Sequence, residues 1–175
     1  MKRYLSLILA ILFSFVILCS CSKKTDETGN GLEKYLGDYS YSDPAICMVY
    51  EPVDGEEDGD GNPLYGIQYR KITDLDGALA SGNTMLIYFY SSMSTDSGPI
   101  TAAVEDLAQE YNGKIIVLML DAMEYPDLME KYKIEAVPEF ILKKPGQADK
   151  VFESVSYEYW TLNDVMAWLN SNGIA

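Results

Sequence analysis

From about Tyr69 onward, short apolar runs alternate with amphipathic stretches in a regular order. Met85-Leu-Ile-Tyr-Phe-Tyr90 is apolar at nearly every position and reads as a buried strand. After a polar turn, Ile100, Ala103, Val104, Leu107, Ala108 and Tyr111 recur at steps of three and four. That spacing puts them on one stripe of a helix, which Gly113 is placed to stop. Lys114-Ile-Ile-Val-Leu-Met-Leu120 is too apolar for a half-exposed strand and predicts a central strand covered on both faces. Leu75 to Ser81 and Pro126 to Tyr132 predict two short helices, the first stopped by Gly82-Asn83. Phe140-Ile-Leu142 predicts another strand, turned by Lys144-Pro-Gly146 into Lys150 to Ser154. Thr161-Leu-Asn-Asp164 is a capping-box pattern, with Asp in place of the usual Glu or Gln, and opens a helix burying Val165, Trp168 and Leu169. The order β-α-β-α-β-α-β-β-α predicts an α/β domain with a central mixed β-sheet flanked by helices, because parallel neighbours need helical crossovers.

The N-terminal part reads differently. Ala45 to Tyr50 and Leu64 to Ile72 are strand candidates separated by the acidic stretch 54–62, which together suggest an N-terminal β-hairpin extension at 43–68 ahead of a main domain at 69–175. Residues 21–42 are polar, carry Gly29, Gly31 and Gly37, and read as a tether. Before them, Met1-Lys2-Arg3 and the apolar run Leu5 to Leu18 have the layout of a signal peptide, shorter than the roughly 20 residues of a membrane-spanning helix.

Charge and composition act mainly by exclusion. The 175-residue chain carries a net charge of −14, which becomes −16 once Lys2 and Arg3 leave with residues 1–20. Such a surface repels nucleic acid. The chain has no histidine, so the usual zinc sites and the Ser-His and Cys-His nucleophile pairs are absent. No cofactor is expected. Three cysteines occur, Cys19, Cys21 and Cys47. If the first two belong to the leader and an anchor, Cys47 has no partner for an intramolecular disulfide.

Two resemblances sharpen this picture. Leu18-Cys19-Ser20-Cys21 resembles a bacterial lipobox, with small Ser20 before Cys21. The resemblance implies cleavage before Cys21, lipid on that residue, and an extracytoplasmic protein anchored to the cell membrane or outer membrane of a bacterium. The second covers about the last hundred residues. Phe89-Tyr-Ser-Ser-Met93, Ser94-Thr-Asp-Ser97-Gly98 and Glu110-Tyr-Asn-Gly-Lys114 are similar, without a gap, to the thioredoxin pattern F-W-A-E-W, C-G-P-C-K and E-Y-x-G-K. Lys131-Tyr-Lys-Ile-Glu-Ala-Val-Pro138-Glu139 resembles the family's K-Y-G-I-R-G-I-P-T, which places the family's cis-proline at Pro138. The expected fold is therefore thioredoxin-like. By the same correspondence Ser94 and Ser97 stand where the family has its redox cysteines, Tyr88 where it has a buried aspartate, and Tyr90 and Met93 where it has tryptophans.

A hydroxyl cannot replace a thiolate in thiol-disulfide exchange. The Ser94-Thr95-Asp96-Ser97 turn therefore reads as a helix cap rather than a catalytic motif, and no enzymatic activity is expected of it. What the family resemblance leaves is its groove beside the cis-proline, which implies binding of an extended envelope or secreted protein segment by Tyr90, Met93, Val137, Pro138, Tyr157 and Trp160. Two other readings remain open on the sequence: an oxidoreductase working through Cys47 or a partner's cysteines, and a structural envelope protein. The second would use Asp54, Glu56, Asp58, Asp60 and Asn62 as a calcium loop, although the twelfth position is Tyr65 where an EF-hand needs Glu.

Overall fold

A computed structural model describes residues 31–93, 97–153 and 161–175. A short 3-10 turn at Glu33–Tyr35 leads into β1 (Leu36–Asp38), the hairpin β2 (Ala45–Glu57) and β3 (Pro63–Ile72), and the short helix α1 (Leu75–Leu79). β4 (Met85–Tyr90), α2 (Ser97–Glu110), β5 (Ile116–Asp121) and α3 (Pro126–Tyr132) follow, then β6 (Glu139–Lys143), β7 (Lys150–Val151) and α4 (Leu162–Ser171).

The strands form one mixed sheet in the order β1-β3-β2-β5-β4-β6-β7. Only β4 and β5 run parallel, with α2 as their crossover; the other pairs are antiparallel. β5 is central, as its unbroken apolar run requires, and both faces of it are covered. On one face, Leu86, Tyr88, Val117, Met119 and Phe140 pack under Val104 and Leu107 of α2 and Val165 and Leu169 of α4. On the other, Ile87, Phe89, Leu118, Leu120 and Ile141 pack with Ala78 of α1 and Tyr132 of α3. The last helix opens as its sequence predicts: the Thr161 amide and hydroxyl both donate to Asp164 Oδ2, at 2.7 and 2.9 Å.

The N-terminal part departs from expectation in two places. Residues 31–42, read as part of a tether, are folded onto the domain. Leu32 is buried in the core, Tyr35 and Leu36 pack against it, and β1 pairs with β3 through Leu36↔Ile72 and Gly37↔Lys71. The acidic stretch is likewise more ordered than a loop. β2 continues to Glu57, with a register irregularity between Pro52 and Glu57 and Gly55 at a φ of +76°, so only residues 58–62 turn the hairpin. A glycine accommodates that left-handed backbone without steric cost, which lets a solvated acidic strand keep its ladder. The hairpin is woven into the sheet, since β2 pairs with β5 from Ala45↔Leu120 to Met48↔Val117.

Gly77 in α1 fixes the N-terminal segment sterically. A Cβ there would come within 2.4 Å of both Tyr35 Cε1 and Asp74 Oδ2, and the Asp74 carboxylate is held as the helix cap by the Gly77 amide at 2.9 Å. Gly→Ala inside a helix ordinarily stabilises by up to about 1 kcal/mol. Here we expect Gly77→Ala to destabilise by about 1–3 kcal/mol, the cost of overpacking. Urea unfolding measures it; a midpoint at or above that of the parent chain would mean that Tyr35 is not seated against α1.

Candidate functional site

Parallel strands β4 and β5 end side by side, and each ends in a turn that its own side chain stabilises. After β4, Ser91 Oγ accepts from the Met93 amide at 3.3 Å. After β5, Asp121 Oδ1 accepts from the Met123 amide at 3.1 Å. Short polar side chains that bond the backbone two residues on are a standard way to close such turns. The consequence is two methionines presented to solvent, Met93 at 82 % exposure and Met123 at 64 %. The Ala122 amide donates to the Tyr90 carbonyl at 2.9 Å, joining the two turns.

β6 completes this end of the sheet. Its register with β4, Phe89↔Glu139, sets Val137 and Pro138 just beyond the strand start, beside Tyr90. The Val137–Pro138 peptide bond is cis, and both residues are half-buried. Among the described residues the Val137 N–H and carbonyl have no hydrogen-bond partner. The structure thus brings Tyr90, Met93, Val137 and Pro138 to one sheet end. Ser97 begins α2. Ser94, Tyr157, Trp160 and Cys21 lie outside the described residues.

Two contributors escaped the sequence reading. Met123 lies outside the quoted motifs, although an Asp at the end of an apolar strand followed two residues later by Met is a readable turn signal. The loop 39–44 spans the end of the expected tether (21–42) and the first residues of the expected hairpin extension (43–68). It stands beside the same end because the Asp121 amide donates to the Pro44 carbonyl at 2.8 Å.

The electrostatics favour neutral groups here. Burial pushes the Tyr90 phenol up to about 12, helped by the Asp121 carboxylate and by Tyr39, Tyr88 and Tyr41 nearby, so it is a hydrogen-bond donor at neutral pH. Burial raises the Glu139 carboxyl, an effect that the Phe140 amide on its Oε1 partly offsets. Beneath Tyr90, Tyr88 is fully buried and stacked on Phe140 with centroids 5.1 Å apart. Burial raises the Tyr88 phenol above its ordinary value, an effect that nearby Thr101 on α2 partly offsets, and among the described residues its hydroxyl has no hydrogen-bond partner. A phenol held neutral in this way is a poor proton shuttle near neutral pH.

Cys47 lies elsewhere. It is the third residue of β2, on the sheet face that carries α1 and α3, and is 1 % exposed. It borders a cavity of about 200 Å³ at the opposite end of the sheet, where β2 leaves β5, but its thiol is covered. Burial first, and then the Glu33 carboxylate, push that thiol up to about 12. At neutral pH it is protonated and behaves as a small apolar side chain.

The acidic hairpin uses its oxygens internally. Asp58 accepts from the Asp60 and Asn62 amides, both at 2.9 Å, and from the Asn62 side chain, which together hold its carboxyl below the usual range. Asp54 and Glu56 are on β2, not in the turn with Asp58, Asp60 and Asn62. Among the described residues no group of three or more acidic or cysteine side chains is placed to hold a metal ion.

The family profile described as Thioredoxin matches residues 70–167, more than half of the chain. The thioredoxin of Staphylococcus aureus strain Mu50 is 34 % identical over 83 residues, which are 46 % of this chain and 80 % of that protein. Among solved structures, the germline-specific thioredoxin Deadhead of Drosophila melanogaster aligns over 51 % of this chain and 84 % of its own, with 24 % identity and a TM-score of 0.42. The first thioredoxin domain of mouse protein disulfide-isomerase A4 aligns over 55 % and 67 %, with 20 % identity and a TM-score of 0.46.

Proposed function

The chain belongs to the thioredoxin family, and from that premise we propose a lipid-anchored extracytoplasmic protein whose thioredoxin domain binds an extended protein segment without exchanging disulfides. The observation that carries the reading is where sulfur is. The turn that holds redox cysteines in the family reads Ser94-Thr95-Asp96-Ser97, and Cys47 is buried on the other face with a thiol pushed up to about 12. Disulfide exchange needs an accessible thiolate. Peptide binding does not, and the Val137 backbone groups, which have no hydrogen-bond partner among the described residues, suit it at the sheet end where Met93 and Met123 are exposed: main-chain hydrogen bonds supply affinity and adaptable side chains supply contact. The anchor rests on the Leu18-Cys19-Ser20-Cys21 sequence. Among the described residues no helix is long and apolar enough to cross a membrane. In this reading lipid on Cys21 holds the protein at the membrane.

Fluorescence anisotropy of labelled extended peptides against the full chain, solubilised in detergent from membranes of expressing cells, tests the groove. Substituting both exposed methionines, Met93→Ala with Met123→Ala, is expected to weaken binding about tenfold, since contact side chains at the centre of an interface carry most of its energy. Unchanged affinity would reject the groove. Sedimentation with membranes that survives Cys21→Ser would reject the lipid anchor.

A further inference from the structure

Resting on that peptide-binding reading, we propose that the loop from Tyr39 to Pro44 forms a wall of the groove and that the groove selects segments in which an apolar residue is flanked by lysine or arginine. The loop is a built element. Asp43 is almost fully buried, and its carboxylate accepts from the Ser40 amide at 2.6 Å and from Lys71 Nζ at 2.6 Å, while the Asp43 amide donates to the Ser40 carbonyl at 2.9 Å. The Tyr39 ring meets Tyr69 edge-on at 5.3 Å, and the Tyr69 hydroxyl donates to Glu105 of α2. These ties hold the loop against the end of β5 on the side away from Tyr90. Tyr41 is nonetheless 95 % exposed. A large aromatic ring on a pinned loop, at the same sheet end as two exposed methionines, gives contact area at small entropic cost on binding.

The charge at this end narrows the partner. Glu124, Asp127 and Glu135 are exposed on the chain that runs from Met123 to Val137, and none makes an ion pair among the described residues. Lys71 is paired to Asp43, and on the stretch itself Lys131 and Lys133 offset two of the four carboxylates Glu124, Asp127, Glu130 and Glu135, which leaves it a net charge of −2. The unneutralised field is therefore negative around an apolar centre, on a chain of net charge −14. A second copy of this chain or an acidic segment meets like charge; a basic segment is steered in.

The test compares short fluorescein-labelled peptides that carry a central tryptophan flanked by lysine, serine or glutamate, titrated with the full chain in detergent. The lysine-flanked peptide is expected to bind about tenfold more tightly than the serine-flanked one and to lose that advantage as salt is raised, as a charge-selected contact should. Tyr41→Ala is expected to weaken it about fivefold, the loss of one exposed aromatic contact, without moving the unfolding midpoint. Affinity that ignores both flank charge and Tyr41→Ala, yet falls in the Met93→Ala, Met123→Ala protein, overturns the wall and leaves the groove standing. No binding of any peptide overturns the groove and this inference with it.

Discussion

Iodoacetamide is expected to label Cys47 in the folded chain about a thousandfold more slowly than in the urea-unfolded chain at the same pH. The factor follows from the rise of the thiol from 9.0 to about 12, because the thiolate is the reacting species and its population falls tenfold per unit. Coverage of the sulfur by the β2–β5 region adds to it. The Cys47 thiol is 1 % exposed and its carrier strand is hydrogen-bonded on both sides, to β3 through Arg70 and to β5 through Leu118. Residual labelling proceeds through local opening of β2 and so reports the stability of that part of the sheet. Mass spectrometry of the Cys47 peptide after timed quenching separates it from Cys19 and Cys21. Folded and unfolded rates within a factor of ten of each other would place a reactive thiol in this domain and reopen a redox role.

The second large effect is on stability. Phe140→Ala is expected to lower the unfolding free energy by about 4 kcal/mol, in the range for truncating a fully buried aromatic residue. Phe140 is fully buried in β6, stacks on Tyr88 at 5.1 Å and meets Phe152 edge-on at 6.3 Å. Phe152 in turn meets Trp168 of α4 at 5.5 Å. One deletion therefore breaks the row of rings that ties the sheet to its last helix. Against a total of about 5–15 kcal/mol for a domain of this kind, the loss is a large fraction. Urea unfolding should show a lower midpoint with an unchanged slope. A loss under about 1 kcal/mol would mean that the ring row is not packed as described.

Much of this architecture was legible because its elements are locally self-consistent. β4 occupies the residues its apolar run predicts, α3 spans Pro126–Tyr132 as read, and the central place of β5 follows from a run with no polar face to expose. What escaped depends on long-range pairing. Leu32, Tyr35 and Leu36 sit in a polar context with neither a helical nor a strand period, and their burial depends on β3 and on the space at Gly77 more than 35 residues away. Asp54 to Glu57 have poor strand propensity and are carried by the ladder begun at Ala45. At the site, Tyr90, Met93, Val137 and Pro138 could be found because they fall within motifs of the family. Tyr41 falls in no motif and Met123 only in the local turn signal after Asp121; the backbone bonds from residues 121 and 122 to Pro44 and Tyr90 set them at the same end.

The central claim is that this thioredoxin domain works without thiol chemistry, and insulin-disulfide reduction tests it most directly. The full chain in detergent, its Cys47→Ala variant and an active thioredoxin are compared at equal concentration with dithiothreitol as reductant. The expected result is a turbidity trace for both forms of this chain that matches dithiothreitol alone. Insulin reduction above that baseline, lost in Cys47→Ala, would contradict the account.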